Sequence, residues 1–448
     1  MIIKLIQPMM NKRPMDTELK TRMAPSLGLL TIAKLFEKEH KILFENENIR
    51  PINFDEAVDV VGISVTVDVL PRAIEIAKIY KKLGIPVVAG GIHITATEDH
   101  VYDAFDALSI GLAETTWPDI IRDIERHQLK KKYVCHKAIT PKDIVGPAYH
   151  LVSHKDYLYC NVISTSRGCP FRCDFCYNSC EAYKKLYVNR EISEVIKEIK
   201  ALGKKHIMFI DDNFIGNPKW TSAFLKELKP LKIKWNAAVS ANIGEMPKLL
   251  DEMADSGCQS LFIGFESIND KALQQVHKGQ NEVGRYEQLV EAIHKRGIMI
   301  NGSFVFGLDG DDETTFKRTL DWIVKQRIET VTSHILTPYP GTKVYKEMIE
   351  AGRIIDFDLS HYNTAHVVYL PKNMSKETLY EGYLNIYNKI YSLKNIIRRM
   401  PKAKKQVMPY LLFNLFYRKY GRFTERICKR VTFERIGKWA EWLAYRVG

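Results

Sequence analysis

Cys169, Cys173 and Cys176 fall in the run RGCPFRCDFCYN with C-x3-C-x2-C spacing. Eight cysteines in 448 residues are too few for a disulfide scaffold, so three crowded on one loop point to a metal or redox site in a reducing compartment. A zinc site normally uses two separated pairs of ligands, and a ferredoxin needs a fourth cysteine in suitable spacing. Three thiolates on one loop can hold three irons of a four-iron four-sulfur (4Fe-4S) cluster and leave the fourth iron open to a ligand. Cys180, four residues after Cys176, would close that iron and is left out of the ligand set. Cys135, Cys160, Cys258 and Cys428 stand alone and read as structural thiols.

Hydrophobic patterning shows which elements must carry this loop. From Met1 to about His127, strand-like runs at Ile2–Ile6, Val58–Val65 and Pro86–Ala89 alternate with amphipathic stretches at Leu27–His40 and Arg72–Leu83. Strands apolar on both faces and separated by helices predict an α/β domain over 1–129, doubly wound and flavodoxin-like, with its ligand at the carboxyl ends of the strands. Residues 130–156 are rich in charge, contain Pro141, Gly146 and Pro147, and read as a connector. Alternation then resumes, with strands near Tyr159–Thr165, His206–Asp211, Lys234–Val239, Ser260–Phe265, Met299–Phe306 and Thr330–Leu336. Six such units over 157–353 predict a partial (β/α)6 barrel whose site gathers at the strand carboxyl ends, and the cysteine loop follows the first strand. Residues 354–448 form a helical, basic C-terminal region, with helices at Tyr380–Arg399 and Val407–Arg418.

The cysteine run, with aromatic Tyr177 directly after the third cysteine, resembles the radical S-adenosylmethionine (SAM) enzymes. In that family SAM occupies the open iron. Several strand ends carry the same resemblance. GFES, with Gly264, Glu266 and Ser267, looks like the position that binds the SAM ribose hydroxyls, a salt-bridged barrel glutamate being the alternative. FIDDNF, with Asp211, Asp212 and Asn213, is similar to an acidic segment of cobalamin-dependent members, and serves either as a substrate contact or as a helix cap. NGSFVFGLDGDDE, from Asn301 to Glu313, resembles the segment that flanks adenine, and TPYPGT, from Thr337 to Thr342, matches the sixth-strand ending.

A doubly wound domain directly ahead of the barrel is the arrangement of the cobalamin-binding subfamily. The resemblance assigns cobalamin contacts to Ser64 and Thr66 in VGISVTVD, and to Gly90, Gly91, His93 and Thr95 in AGGIHITATED. Paired glycines admit a bulky ligand, and hydroxyls can bond its amides. The D-x-H-x-x-G motif is absent, so no cobalt ligand is assigned; GLAE, from Gly111 to Glu114, stands where relatives often show G-E-G-E. The resemblance implies a cobalamin-dependent C-methyltransferase that attacks an unactivated carbon after reductive cleavage of SAM to a 5'-deoxyadenosyl radical. A one-electron donor such as flavodoxin or ferredoxin would feed the cluster. Rival readings are a cobalamin radical SAM cyclase, ring-rearranging or oxidative enzyme, and a non-catalytic iron-sulfur or zinc protein whose basic tail binds nucleic acid. No catalytic side chain is assigned.

The formal charge of +13 is a property of the tail, because from Lys394 to Gly448 fifteen Lys and Arg face three Glu, a net of +12. Apolar Leu411, Leu412, Phe413, Leu415, Phe416 and Tyr417 precede Arg418, Lys419, Arg422 and Arg426, with Trp439 and Trp442 beyond. Such a composition suits an anionic membrane surface and a small-molecule or lipid-like substrate. Packing on the barrel is the competing reading for these aromatics, and nucleic acid is disfavoured as a partner. MIIKLIQP lacks a signal-peptide pattern and no apolar run reaches membrane-spanning length, so the expected location is cytoplasmic, peripheral on the cytoplasmic membrane face.

Overall fold

The computed structural model describes residues 1–448 apart from 101, 136–138, 184–185, 419–425, 427–429 and 446–448. Lys419, Arg422 and Cys428, which the sequence singles out, lie outside the described residues.

Valine- and isoleucine-rich runs build two parallel sheets. The first contains β1 (Ile2–Gln7), β2 (Lys41–Asn46), β3 (Val60–Ser64), β4 (Val87–Gly90), β5 (Ala107–Ile110) and β6 (Lys132–Val134), in the order β2-β1-β3-β4-β5-β6. Both faces are covered. The helix Leu70–Lys82 buries Ala73, Ile76 and Tyr80 on one side, and the helices Leu27–Phe36 and Ala113–Glu125 bury Leu29, Ile32, Trp117 and Ile120 on the other. Each large apolar side chain so buried contributes about 1.5–3 kcal/mol relative to exposure. Gly62 is dictated by this packing, since a Cβ there would come within 2.6 Å of the Trp117 ring. Three strands of this sheet were not foreseen: β2, β5 and β6, the last inside the stretch read as a connector.

The second sheet holds β7 (Val162–Ile163), β10 (His206–Phe209), β11 (Lys234–Val239), β12 (Cys258–Glu266), β13 (Met299–Phe306) and β14 (Thr330–Ile335). Its order is β14-β13-β12-β11-β10-β7, all pairs being parallel. Between β7 and β10, the short β8 (Ser166–Arg167) and β9 (Val188–Asn189) pair antiparallel and frame the cysteine loop. Side chains alternate along β11 and β14 between fully and partly buried, and the fully buried set feeds the large core. Asn217 accepts from Trp220 N–H at 3.2 Å to start the helix Pro218–Leu228, and Gly203 in the left-handed region (φ 60°) ends Ile192–Leu202.

The long helix expected at Tyr380–Arg399 is two helices, Lys376–Ile390 and Leu393–Arg398. Ser392 is the cause, because its side chain caps the second helix by accepting from Asn395 N–H. Arg399 locks this region to the second sheet: fully buried, it donates to the carbonyls of Ile328, Glu329 and Ile390 and to Asn414 Oδ1.

Candidate cluster and cofactor site

The cysteine loop starts where β7 ends, and one buried carboxylate fixes that point. Asp211, directly beyond β10, accepts from Thr165 N–H at 2.8 Å, Ser166 N–H at 2.6 Å, Ser166 Oγ at 2.6 Å and Thr165 Oγ1 at 3.1 Å. Burial pushes its carboxyl above the ordinary range, against the pull of these four donors. Gly168 then turns the chain with φ 74°; a Cβ there would meet the Leu186 carbonyl oxygen at 2.7 Å. Arg172 Nη1 ties the loop across itself, donating to the carbonyls of Cys169 at 3.0 Å and Asn178 at 3.2 Å.

The three thiols share this loop and influence one another. Burial, followed by the charges of neighbouring thiols and Asp212, pushes Cys169 up to about 11 and Cys176 up to about 12. Iron must therefore displace protons to bind, and each sulfur gains a charge that needs neighbours. Gln280 Nε2 lies 3.3 Å from Cys173 Sγ and Asn178 Nδ2 lies 3.7 Å from Cys176 Sγ, as donors that stabilise thiolate. No three His, Cys, Asp or Glu among the described residues converge on a single-ion site. A four-iron cage needs its ligands farther apart than one ion does, and the residues present fit it. Cys180 is engaged elsewhere: its Sγ donates to the Gly341 carbonyl at 3.0 Å, and burial holds the thiol at about 11.

At the end of β12, Glu266 takes φ 60° and folds back so that Lys278 Nζ pairs with its Oε1. Gly264 makes room, since a Cβ would collide with that oxygen and lie 2.9 Å from Lys278 Nζ. Lys278 also sits 5.7 Å above the ring of Phe175, which lies between Cys173 and Cys176. The salt-bridged alternative is thus realised at Oε1, and Glu266 is held beside the cysteine loop. Ser267 is buried and accepts from Asn269 N–H at 3.1 Å. Asn213 bridges to Ser240 at 3.1 Å, while Asp212 is exposed, with its carboxyl pushed up by its surroundings. A cavity of ≈ 690 Å³ opens beside the loop between Phe171, Arg172, His277, Gln280 and Lys343.

The strand ends of the first sheet meet the same loop. His93 is 1% exposed; its Nδ1 lies 3.3 Å from Tyr177 Oη and its Nε2 3.2 Å from Tyr102 Oη. Burial lowers its pKa to about 4, so the ring is neutral at pH 7. Tyr177 in turn stacks on Tyr339, centroids 4.8 Å apart. Thr95 is fully buried and accepts from Gly111 N–H at 3.1 Å. Gly91 has φ 106°, and a Cβ would meet the Val65 carbonyl oxygen at 2.8 Å; one on Gly90 would meet Ser109 Cβ at 3.3 Å. Ser64 is half-buried, whereas Thr66 is exposed and donates to Asp68 Oδ1 at 2.7 Å. Glu114 of GLAE pairs with Arg167, two residues before Cys169, at 3.0 Å.

A loop of three cysteines at the carboxyl ends of one parallel sheet, met by the strand ends of a second, defines an iron-sulfur enzyme of the radical SAM type. The sequence profile of the Radical SAM superfamily matches residues 163–323. Bacteriochlorophyllide d C-12(1)-methyltransferase of Chlorobaculum tepidum is 33% identical over 388 residues, with 84% of each chain covered. Bacteriochlorophyllide d C-8(2)-methyltransferase of the same organism is 31% identical over 402 residues, covering 86% of this chain and 89% of that one. Among solved structures, the radical SAM methyltransferase TsrM from Kitasatospora setae, with cobalamin and 4Fe-4S cluster bound, shares the fold at TM-score 0.62 and 17% identity, with 78% of each chain covered. The chain belongs to the radical SAM superfamily, among its cobalamin-dependent methyltransferase-like members.

Lys278, Gln280 and Asn281 were missed by sequence reasoning, although all three touch the site. Their one signal is the polar run HKGQN after a short helix, which has no period. Arg167 and Tyr339 lie in the runs RGCPFRCDFCYN and TPYPGT but were given no role of their own.

Proposed function

We propose that the protein is a cobalamin-dependent radical SAM C-methyltransferase acting on a small-molecule or lipid-like substrate. The carrying observation is the meeting of the two domains' strand ends, where Tyr177 beside Cys176 lies 3.3 Å from His93 beyond β4. When bound, the cluster supplies the electron that cleaves SAM to a hydrogen-abstracting radical, and cobalamin supplies the methyl group. Cys169, Cys173 and Cys176 would hold the cluster, and Gln280 and Asn178 would stabilise its thiolates. Glu266, fixed by Lys278 and flanked by Gly264 and Ser267, would orient the SAM ribose. Ser64, Thr66, Gly90 and Gly91 would form the edge against cobalamin in a flavodoxin-like domain, with His93 and Thr95 supporting that edge from beneath. The second sheet would act as a partial barrel that excludes water around the reacting carbon.

Anaerobic reconstitution tests this reading. The expected result is bound cobalamin, 5'-deoxyadenosine formation, and product heavier by one methyl with two SAM consumed per turnover. A product lacking the methyl would instead identify a cyclase or oxidative enzyme, and a fully loaded cluster indifferent to SAM would overturn the proposal.

The C-terminal region supports a peripheral position on an anionic, cytoplasmic membrane face. No described helix is long and apolar enough to cross a membrane. Trp439 and Trp442 are 52% and 50% exposed one turn apart, beside Arg435 and Lys438, and Met408 and Leu415 are exposed two turns apart on Lys404–Tyr417. The exposed apolar face therefore differs from the expected run: Tyr417 stacks on Tyr391 at 5.8 Å instead of facing outward. Truncation would remove the buried Arg399, so Trp439→Ser/Trp442→Ser is the cleaner variant. It should lose most of its sedimentation with phosphatidylglycerol vesicles, and salt should weaken that of the parent. Equal sedimentation of variant and parent would remove the membrane role.

A further inference from the structure

The first sheet grips the cysteine loop at both of its ends. Upstream, Glu114 Oε1 takes Arg167 Nη2 at 3.0 Å, with the Glu114 side chain 5% exposed. Downstream, Tyr177 Oη lies 3.3 Å from His93 Nδ1 on the helix Ile92–Ala96. His93 sits on that short helix two residues after Gly91, and both of its ring nitrogens are occupied, by Tyr177 and Tyr102. A neutral imidazole donates from one nitrogen and accepts at the other, so Tyr102–His93–Tyr177 is a directional chain whose geometry depends on the ring. Thr97 Oγ1 anchors it further, lying 2.8 Å from both the His93 carbonyl oxygen and Tyr102 Oη. Tyr177 has little freedom, being packed against Tyr339 on its other face.

We propose that His93 is a positioning residue for the cluster: through Tyr177 it sets the surroundings of the Cys176 thiolate and thereby couples the Gly90–Gly91 strand end to the redox behaviour of the cluster. This rests on Cys169, Cys173 and Cys176 holding a cluster, and iron content reports separately on that premise. Cluster potentials respond to hydrogen bonding and solvent access at the sulfurs, and Tyr177 stands between Cys176 and Asn178, whose Nδ2 lies 3.7 Å from Cys176 Sγ.

The test compares anaerobically reconstituted full-length parent with His93→Phe, His93→Gln, Tyr177→Phe and the double variant His93→Phe/Tyr177→Phe. Iron content and visible absorbance are scored first, then the paramagnetic resonance spectrum of the reduced cluster during a redox titration. His93→Phe and Tyr177→Phe should keep the parent's iron but show an altered spectrum, with a reduced-to-oxidised ratio changed about tenfold at fixed potential, equivalent to about 59 mV for one electron. The double variant should match the singles, because both remove one link. His93→Gln, which keeps a donor and an acceptor, should return toward the parent. Thr116→Val, which breaks the buried 2.6 Å bond to Ser109 in the same domain, should lower the melting temperature without moving the titration. Parent-like titration in both His93→Phe and Tyr177→Phe with full iron overturns the proposal, as do additive shifts in the double variant. Iron-free parent protein would instead refute the cluster assignment on which it rests.

Discussion

Replacing Cys169, Cys173 or Cys176 with Ala should abolish the cluster and all reductive cleavage of SAM, and Cys180→Ala should leave both intact. A four-iron cluster held by three thiolates has no spare protein ligand, so losing any one leaves two irons without one. Iron should fall from about four per chain to the level of unreconstituted protein, with the visible absorbance following it. Cys180 differs in what it touches: its thiol donates to the Gly341 carbonyl. Removing that bond costs about 1 kcal/mol of stability and no iron. Reductive SAM cleavage retained by any of the three variants would disprove the ligand assignment. Loss of iron in Cys180→Ala would show a closed, four-cysteine cluster and end the radical SAM mechanism for this chain.

The cysteine loop stands out because its three cysteines lie within eight residues, and local spacing carries the whole signal. The strands of the second sheet were equally legible. Lys234–Val239 and Met299–Phe306 match their predicted limits, because buried and less buried positions largely alternate along them with the strand period of two. β2 at the edge of the first sheet did not stand out, because KILFEN is partly exposed and mixes Lys, Glu and Asn with its apolar residues. β6 has three residues, one of them Lys132, inside a charged stretch. Harder still were the partners that finish the site. Lys278 lies 12 residues from Glu266, Glu114 lies 53 from Arg167, and His93 lies 84 from Tyr177. Each pair is made by the approach of two sheets or two loops, which no periodicity within one element encodes. His93 shows what strand-end position alone leaves out: beside the two glycines that marked it, its ring nitrogens also lie 3.3 Å from Tyr177 Oη and 3.2 Å from Tyr102 Oη.

Asp211→Ala should destabilise the protein by about 3–5 kcal/mol and prevent cluster assembly, although Asp211 touches no cysteine. Its carboxylate satisfies two backbone N–H groups and two hydroxyls at the point where β7 becomes the cysteine loop. Alanine strands those donors in a place nearly sealed from water, Asp211 being 4% exposed and Thr165 fully buried. Each unsatisfied buried donor costs about 1–3 kcal/mol, and the hydroxyls recover part of that by rotating toward other acceptors. Ser166 and Arg167 precede the Gly168 turn, so slack at Ser166 is passed directly to Cys169. Asp211→Asn separates geometry from charge. Its carbonyl oxygen can still take the three bonds now made to Oδ1, and only the 3.1 Å contact with Thr165 Oγ1 must reverse, which a hydroxyl can do by accepting from the new amide. Asn should therefore cost about 1 kcal/mol and load most of its iron. Asp212→Ala, one residue along and exposed, should melt within about 0.5 kcal/mol of the parent. Chemical denaturation and iron content of the three variants decide the matter. If Asp211→Ala unfolds at the parent's denaturant midpoint and loads full iron, the loop is held by its own turn at Gly168, and the carboxylate beyond β10 does not position the cluster.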